Sequence, residues 1–187
     1  MADQGAEGLL SPYLREKRIR AVTPWLKGRI LDFGCGVGVL AALVDAEKYL
    51  GVERDVFALQ QARKQFSKHR FVTDLTEVSE KFDTVVALAV IEHLSEPAPF
   101  LFSLAEFLED SRPSNIVLTT PHPSVDWIHG LGAKIGIFSK HANEEHGDLL
   151  NRSHLEKIGQ QANLTLYSYS RFLFGANQIA VYSRNQI

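Results

Sequence analysis

The chain has 187 residues, 45% of them hydrophobic, with 20 lysines and arginines against 22 acidic residues for a formal net charge of −2. That is enough for one well-buried core in a single domain, and it leaves no basic field of the kind that marks a nucleic-acid binder, a local patch aside. The lone cysteine, Cys35, excludes an intrachain disulfide, the first residues lack a signal peptide's basic-then-apolar order, and no apolar run reaches the ~18 residues of a membrane span, so a reducing, cytoplasmic setting is expected.

In chain order, residues 9–27, LLSPYLREKRIRAVTPWLK, read as a helix that caps a ligand site, with Tyr13 as its contact. Five short apolar, often β-branched runs read as buried strands: GRILDF (28–33), KYLGVE (48–53), RFVTD (70–74), FDTVVAL (82–88) and SNIVLTT (114–120). Helix-like stretches separate them. VLAALVDA (39–46) is rich in helix formers. DVFALQQARKQFSKH (55–69) opens on Asp55 as N-cap and aligns Val56, Leu59, Ala62 and Phe66 on one stripe. APFLFSLAEFLEDS (98–111) lies between Pro97 and Pro113. Beyond TTPHPSV, the apolar stretch WIHGLGAKIGIF (127–138) is a buried helix, a lid over a ligand, or a surface that meets lipid. A helix near 152–162 follows. LTLYSYSRFLF (164–174) and NQIAVYSR (177–184), broken by Gly175–Ala176, then form an antiparallel pair at the sheet edge. Strands apolar at every position are covered on both faces, as in a parallel sheet. The alternation therefore predicts an α/β fold, a Rossmann-like doubly wound sheet of seven strands, mostly parallel with an antiparallel last strand.

The stretch ILDFGCGVGVL carries three glycines directly after a strand. A P-loop needs a lysine and a hydroxyl after its last glycine, and Val39 and Leu40 stand there instead. A dinucleotide fingerprint needs G-x-G-x-x-G. Gly34 and Gly36 fit, but the third glycine, Gly38, comes one residue early. What remains is G-x-G-x-G preceded by an acid, Asp32. Glycines let the backbone turn tightly and approach a ligand with no Cβ in the way. The pattern LDFGCGVG resembles motif I of the class I S-adenosylmethionine-dependent methyltransferases, and FDTVVALAVIEHL resembles that family's fourth-strand motif, of the kind found in ubiquinone-pathway O-methyltransferases.

The resemblance covers roughly residues 25–121 and implies a cofactor, S-adenosylmethionine, with a set of contacts. Asp32 would face the cationic ammonium and sulfonium, directly or through water. Gly34, Cys35 (through its backbone), Gly36 and Gly38 would line the loop. Glu53, 21 residues after Asp32, would accept hydrogen bonds from the ribose hydroxyls, as an acid does after the second strand of dinucleotide folds. Arg54 and Val56 would flank the adenine. Asp74 would accept from the adenine amino group, with Leu75 offering a backbone N–H. The backbone of Leu88 and Ala89 would lie beside the methionine part. The whole chain, 1–187, is then one methyltransferase domain, with an N-terminal cap helix (1–27), a cofactor-binding core (28–121) and an acceptor-side segment (122–187).

Methyl transfer from a sulfonium is an in-line displacement that rests on positioning, and it needs a base only where the nucleophile carries a proton. His93, His122, His141 and His146 lie where the acceptor cleft should open, and histidine suits base work near neutrality. His146, in NEEHGDLLNRSHLEKIG, is the first expectation and His93 the second. Small-RNA 3′-end methyltransferases hold a divalent ion with Glu-x-x-Glu-His after the fourth strand. Here AVIEH keeps Glu92 and His93 but has Ala89 in place of the first glutamate, so no metal is expected. The expected partner is a small-molecule acceptor with an apolar part, nucleic acid is not expected, and peripheral membrane contact stays open. Three alternatives remain: a non-catalytic S-adenosylmethionine-binding regulator or scaffold, a metal-dependent RNA 2′-O-methyltransferase, and a dehydrogenase.

Overall fold

The computed structural model describes residues 11–123 and 150–184. Seven strands form one sheet: β1 (Ile30–Phe33), β2 (Tyr49–Val52), β3 (Arg70–Val72), β4 (Thr84–Leu88), β5 (Asn115–Pro121), β6 (Leu164–Phe172) and β7 (Asn177–Arg184), in the order β3-β2-β1-β4-β5-β7-β6. Pairs among β1 to β5 are parallel. β7 runs antiparallel to both its neighbours, β5 and β6. The expected edge pair is therefore present, with β7 inserted between β5 and β6.

The unbroken apolar runs have a direct cause. Successive strand residues point to opposite faces, and both faces are covered. Leu31, Val85, Ala87 and Leu118 join one core, under α3 (Pro97–Ala105) and α4 (Arg152–Gln161) through Leu101, Leu104, Leu155 and Ile158. Ile30, Val86, Val117 and Ile179 join the other, under α1 (Ser11–Val22) and α2 (Val56–Gln65) through Val22, Leu59 and Ala62. The Asp55 side chain accepts from the Ala58 N–H at 2.8 Å, the N-cap that the sequence announces. No helix among the described residues is long and apolar enough to cross a membrane.

Four helices come out shorter than their sequence pattern, α2 among them, since it ends at Gln65. After Gly38 the expected helix is a 3₁₀ stretch, Val39–Leu43, followed by a second at Ala46–Lys48. Ten residues, 39–48, must return the chain from Gly38 to the start of β2. A 3₁₀ helix rises about 2.0 Å per residue against 1.5 Å for an α-helix, so it covers that return with fewer residues. α1 stops at Val22, where Pro24 enters a 3₁₀ turn, Thr23–Trp25. α3 stops at Ala105 because the following residues are drawn to the sheet: the Phe82 N–H donates to Phe107 O and the Glu109 N–H to Phe82 O, both at 2.8 Å.

The chain on either side of residues 122–149 is fastened by Gln178 on β7, which is fully buried. Its Nε2 donates to Pro121 O at 2.9 Å and to Leu150 O, while its Oε1 accepts from the Tyr169 hydroxyl at 2.9 Å. The apolar segment 127–138 lies outside the described residues, as do His141 and His146.

Gly51 sits in the middle of β2, where an added Cβ would meet the Phe71 ring at 2.6 Å and Cys35 Sγ at 2.8 Å. Gly51→Ala is expected to destabilise the fold by about 1–3 kcal/mol through overpacking, measured by urea denaturation. An unchanged midpoint would mean that the β2–loop packing is slack.

Candidate functional site

β1 lies between β2 and β4, the point where the strand order reverses, and open α/β sheets bind ligands outside the carboxyl ends of their strands there. The glycine loop follows β1. Gly34, Gly36 and Gly38 all have positive φ (72°, 54° and 79°), conformations in which a side chain is strained. The loop is tied to β2, since the Gly34 and Cys35 N–H groups both donate to Val52 O at 2.9 and 3.1 Å.

The three glycines differ in what they face. A Cβ on Gly34 would meet Val90 Cγ2 at 2.9 Å, and one on Gly38 would meet the Phe71 ring at 3.1 Å and Ala62 at 3.3 Å. A Cβ on Gly36 would meet nothing within 4 Å. Gly34 and Gly38 are therefore small because protein packs against them, and Gly36 because it fronts open space.

Glu53 stands at the end of β2 and holds the loop. Its Oε2 accepts from the Gly36 N–H at 2.9 Å and its Oε1 from the Asp55 N–H at 2.8 Å. Each carboxylate oxygen can accept more than one bond, so both retain capacity for a ligand's hydroxyls. Asp32 is 3% exposed. Its Oδ2 accepts from the Tyr49 hydroxyl at 2.7 Å. Burial raises its pKa to about 7, with the Tyr49 bond opposing the rise and the Glu53 charge adding to it.

Two adjoining cavities open here. A cleft of about 1020 Å³ is lined by Phe33, Gly34, Glu53, Arg54, Asp74, Leu75, Leu88, Ala89, His93 and Phe100, among others. A smaller one of about 340 Å³ is lined by Arg15, Arg18, Asp32, Cys35, Gly36 and their neighbours. Gly34 and Leu88 belong to both walls. The chain thus brings together Asp32, Gly34, Cys35, Gly36, Glu53, Arg54, Asp74, Leu75, Leu88 and Ala89 around these two adjoining cavities. Gly38 lines neither cavity and packs behind the loop. Val56 is 55% exposed and lines neither.

Asp74 ends the third strand's loop as the N-cap of a 3₁₀ turn, Leu75–Glu77. Its Oδ1 accepts from the Thr76 N–H at 2.8 Å, which holds its pKa below the usual carboxylate value. Glu77 returns the bond by accepting from the Asp74 N–H at 3.2 Å, a capping box. Ala89, just past β4, has φ 54° while its N–H donates to Thr119 O at 2.9 Å. A non-glycine residue in that region costs about 1–2 kcal/mol, and such strain gathers at functional sites.

Among the candidate bases, His93 lies in the 3₁₀ turn Ile91–His93 and lines the larger cleft. His122 lines neither cavity. Its backbone N–H donates to Ala176 O at 3.0 Å, and burial and then Arg171 lower its pKa. Among the described residues no set of three His, Cys, Asp or Glu side chains could hold a metal ion.

The structure adds residues that the sequence pattern missed. Arg15 and Arg18 on α1 line the smaller cavity, where Tyr13 had been expected. Tyr13 is 44% exposed, with Lys17 Nζ 5.0 Å from its ring centroid. Arg18 Nε donates to Asn177 Oδ1 at 3.2 Å, and burial lowers its pKa. The i, i+3 spacing of Arg15 and Arg18 was the available signal, since it places both on one helix face. Glu92 is 4% exposed and its Oε2 has no hydrogen-bond partner among the described residues. Burial raises its pKa, against the charges of His93 and Arg18.

Residues 9–169 match the model of a protein family described as a methyltransferase domain. The chain is 30% identical over 105 residues to a ubiquinone biosynthesis O-methyltransferase of Ruegeria sp., covering 50% of this chain and 42% of that protein. It is 31% identical over 122 residues to the enzyme of the same name from Parvibaculum lavamentivorans, covering 56% and 47%. The chain therefore spans less than half the length of these curated relatives. Among solved structures, magnesium protoporphyrin IX methyltransferase from Synechocystis, with S-adenosylhomocysteine bound, superposes with a TM-score of 0.71 at 18% identity over 97% of this chain and 90% of that one. An S-adenosylmethionine-dependent methyltransferase from Clostridium acetobutylicum gives 0.63 at 12% identity over 94% and 91%. The fold is theirs.

Gly36→Ala tests what the open space is for. An alanine at φ 54° costs about 1–2 kcal/mol, so the variant is expected to fold with a modestly lower melting temperature. Its Cβ would enter the smaller cavity, and calorimetric affinity for S-adenosylhomocysteine is expected to fall about tenfold or more. Unchanged affinity would move the ligand elsewhere.

Proposed function

The chain belongs to the methyltransferase-domain family, and from that premise we propose that it transfers a methyl group from S-adenosylmethionine to a small-molecule acceptor with an apolar part. One observation carries the reading: Gly36, left-handed and facing open space, gives its N–H to Glu53 at 2.9 Å. This joins the turn after β1 to the acid after β2 at the switch point, with the larger cleft running on to Asp74 and Ala89.

The residues present fit the cofactor. Glu53 would accept from the ribose hydroxyls, in line with the capacity left on both its oxygens. The Leu75 N–H, at the start of its turn, and Asp74, whose bond to Thr76 occupies Oδ1, would hold the adenine edge, with Arg54 alongside. Asp32 would oppose the ammonium. Arg15 and Arg18, on the wall of the same cavity, would oppose the α-carboxylate. Leu88 and Ala89 would offer backbone beside the methionine part. Bound there, the sulfonium supplies an electrophilic methyl and leaves as neutral S-adenosylhomocysteine.

What the chain itself does is position and exclude water. Phe33 and Phe100, whose rings lie 5.2 Å apart, give the larger cleft an apolar wall. This supports an acceptor with an apolar part, as do relatives named for ubiquinone biosynthesis. His93 on the same wall would take the proton when the attacking atom carries one. His146 remains the other proposed base. The lone, buried Cys35 accords with a reducing cytoplasm.

Glu53→Gln removes a charged acceptor worth about 1.5–3 kcal/mol, so S-adenosylmethionine affinity should fall roughly ten- to a hundredfold, read by calorimetry. For His93→Ala, turnover should fall about 10²-fold or more with the KM for S-adenosylmethionine unchanged. That is followed as S-adenosylhomocysteine release against a panel of phenolic acceptors. Tight NADH binding without S-adenosylmethionine binding would sink the proposal, and cofactor binding without turnover on any acceptor would favour a regulator.

A further inference from the structure

Tyr49 has no place in the binding scheme above, yet its hydroxyl is committed to the site. Its ring is 4% exposed, set edge-on between His69 and Phe71, with centroids 5.5 and 5.7 Å away. The hydroxyl donates to Asp32 Oδ2 at 2.7 Å. That leaves Oδ1 for the cavity that Asp32 lines.

We propose that Tyr49 is a positioning residue for Asp32, and that the pair makes capture of the cationic methyl donor a proton-releasing event. The inference rests on the cofactor reading given above. In the free protein, below its titration at about 7, Asp32 is mostly a neutral carboxyl. Its proton sits on Oδ1, because Oδ2 is already accepting from Tyr49. When the donor's ammonium arrives, that proton leaves to solvent and the carboxylate remains, so one positive charge is exchanged for another. The Tyr49 bond then becomes charge-assisted and holds the carboxylate in place.

The surroundings of Asp32 agree. On β2, Tyr49 is a firm donor, because burial pushes its own ionisation far above the ordinary value. On the glycine loop, burial keeps the Cys35 thiol neutral. At the end of β2, the Glu53 carboxylate opposes a second negative charge nearby. From α1, Arg15 and Arg18 line the same cavity, and Arg18 is directed to Asn177. No hydrogen bond but that of Tyr49 reaches the Asp32 carboxyl among the described residues. Burial therefore dominates and places its titration at about 7. The folded protein keeps a proton that the unfolded chain has lost, so stability falls as pH rises from about 4 to about 7.

The test is calorimetric titration of S-adenosylmethionine into the full chain, in phosphate and in imidazole. A pH of about 6.5 keeps the ligand's own amine, of pKa about 7.7–8.0, charged. The two enthalpies should differ by an amount equal to release of about half a proton or more per ligand, and Asp32→Asn should abolish the difference. Tyr49→Phe should bind about three- to tenfold more weakly at that pH, as expected for a rise of up to about one unit in the Asp32 pKa. Because higher pH restores the carboxylate, the deficit should close by about pH 8.5. A deficit constant across pH would make Tyr49 mere packing and overturn the inference, as would equal enthalpies in the two buffers. Should Tyr49→Phe fail to fold, the thermal midpoints of the wild type and Asp32→Asn decide: relative to Asp32→Asn, the wild type must lose ground as pH rises from about 4 to about 7. No binding at any pH would instead overturn the cofactor reading itself.

Discussion

The bond from the Gly36 N–H to Glu53 Oε2, 2.9 Å long, is the constraint on which the site depends. It joins two loops that leave neighbouring parallel strands at the same edge. The loop can reach Glu53 because its glycines take left-handed conformations. Glu53 can receive it because its other oxygen is steadied by the Asp55 N–H, and Asp55 in turn caps α2. A tight turn, an acid and a helix start are thus one hydrogen-bonded chain. Disturbing any link moves the wall of both cavities.

A second constraint is burial. The central strands are covered on both faces, so a polar group on them or buried against them must be paired or held neutral. Asp32 meets that requirement through Tyr49, and Arg18 by reaching Asn177. Glu92 meets it least, with one oxygen buried and unpartnered among the described residues. These groups sit close to the strand ends, where the sheet gives way to the cleft. A low-dielectric setting there strengthens whatever electrostatic contacts a ligand makes.

Much of this was legible in the sequence. Strands buried on both faces betray themselves by runs without alternation, and the early third glycine distinguishes this loop from phosphate-binding ones. Glu53 and Asp74 could be placed because the family resemblance gives roles to the acids that end the second and third strands. Tyr49 could not, since in KYLGVE it is an ordinary strand aromatic and only the folded sheet brings its hydroxyl to Asp32. Arg15 and Arg18 were hidden for a related reason: a charged helix face looks solvated until the helix is laid over a cavity. Propensity favours an α-helix after Gly38, whereas the return to β2 is made in two 3₁₀ stretches. Nor does composition tell apart the duties of the three glycines, two serving packing and one serving space.

Gln178 carries a consequence for how such a chain diversifies. Its amide nitrogen donates to Pro121 O and to Leu150 O, so a single buried side chain fastens both ends of the excursion from 122 to 149. With the ends fixed to each other and to β7, the sheet does not register how long the excursion is. Doubling a loop closed in this way costs only about 0.6 kcal/mol. A change of length between the two anchors therefore adds little to the closure, while the strand positions that Gln178 holds stay set.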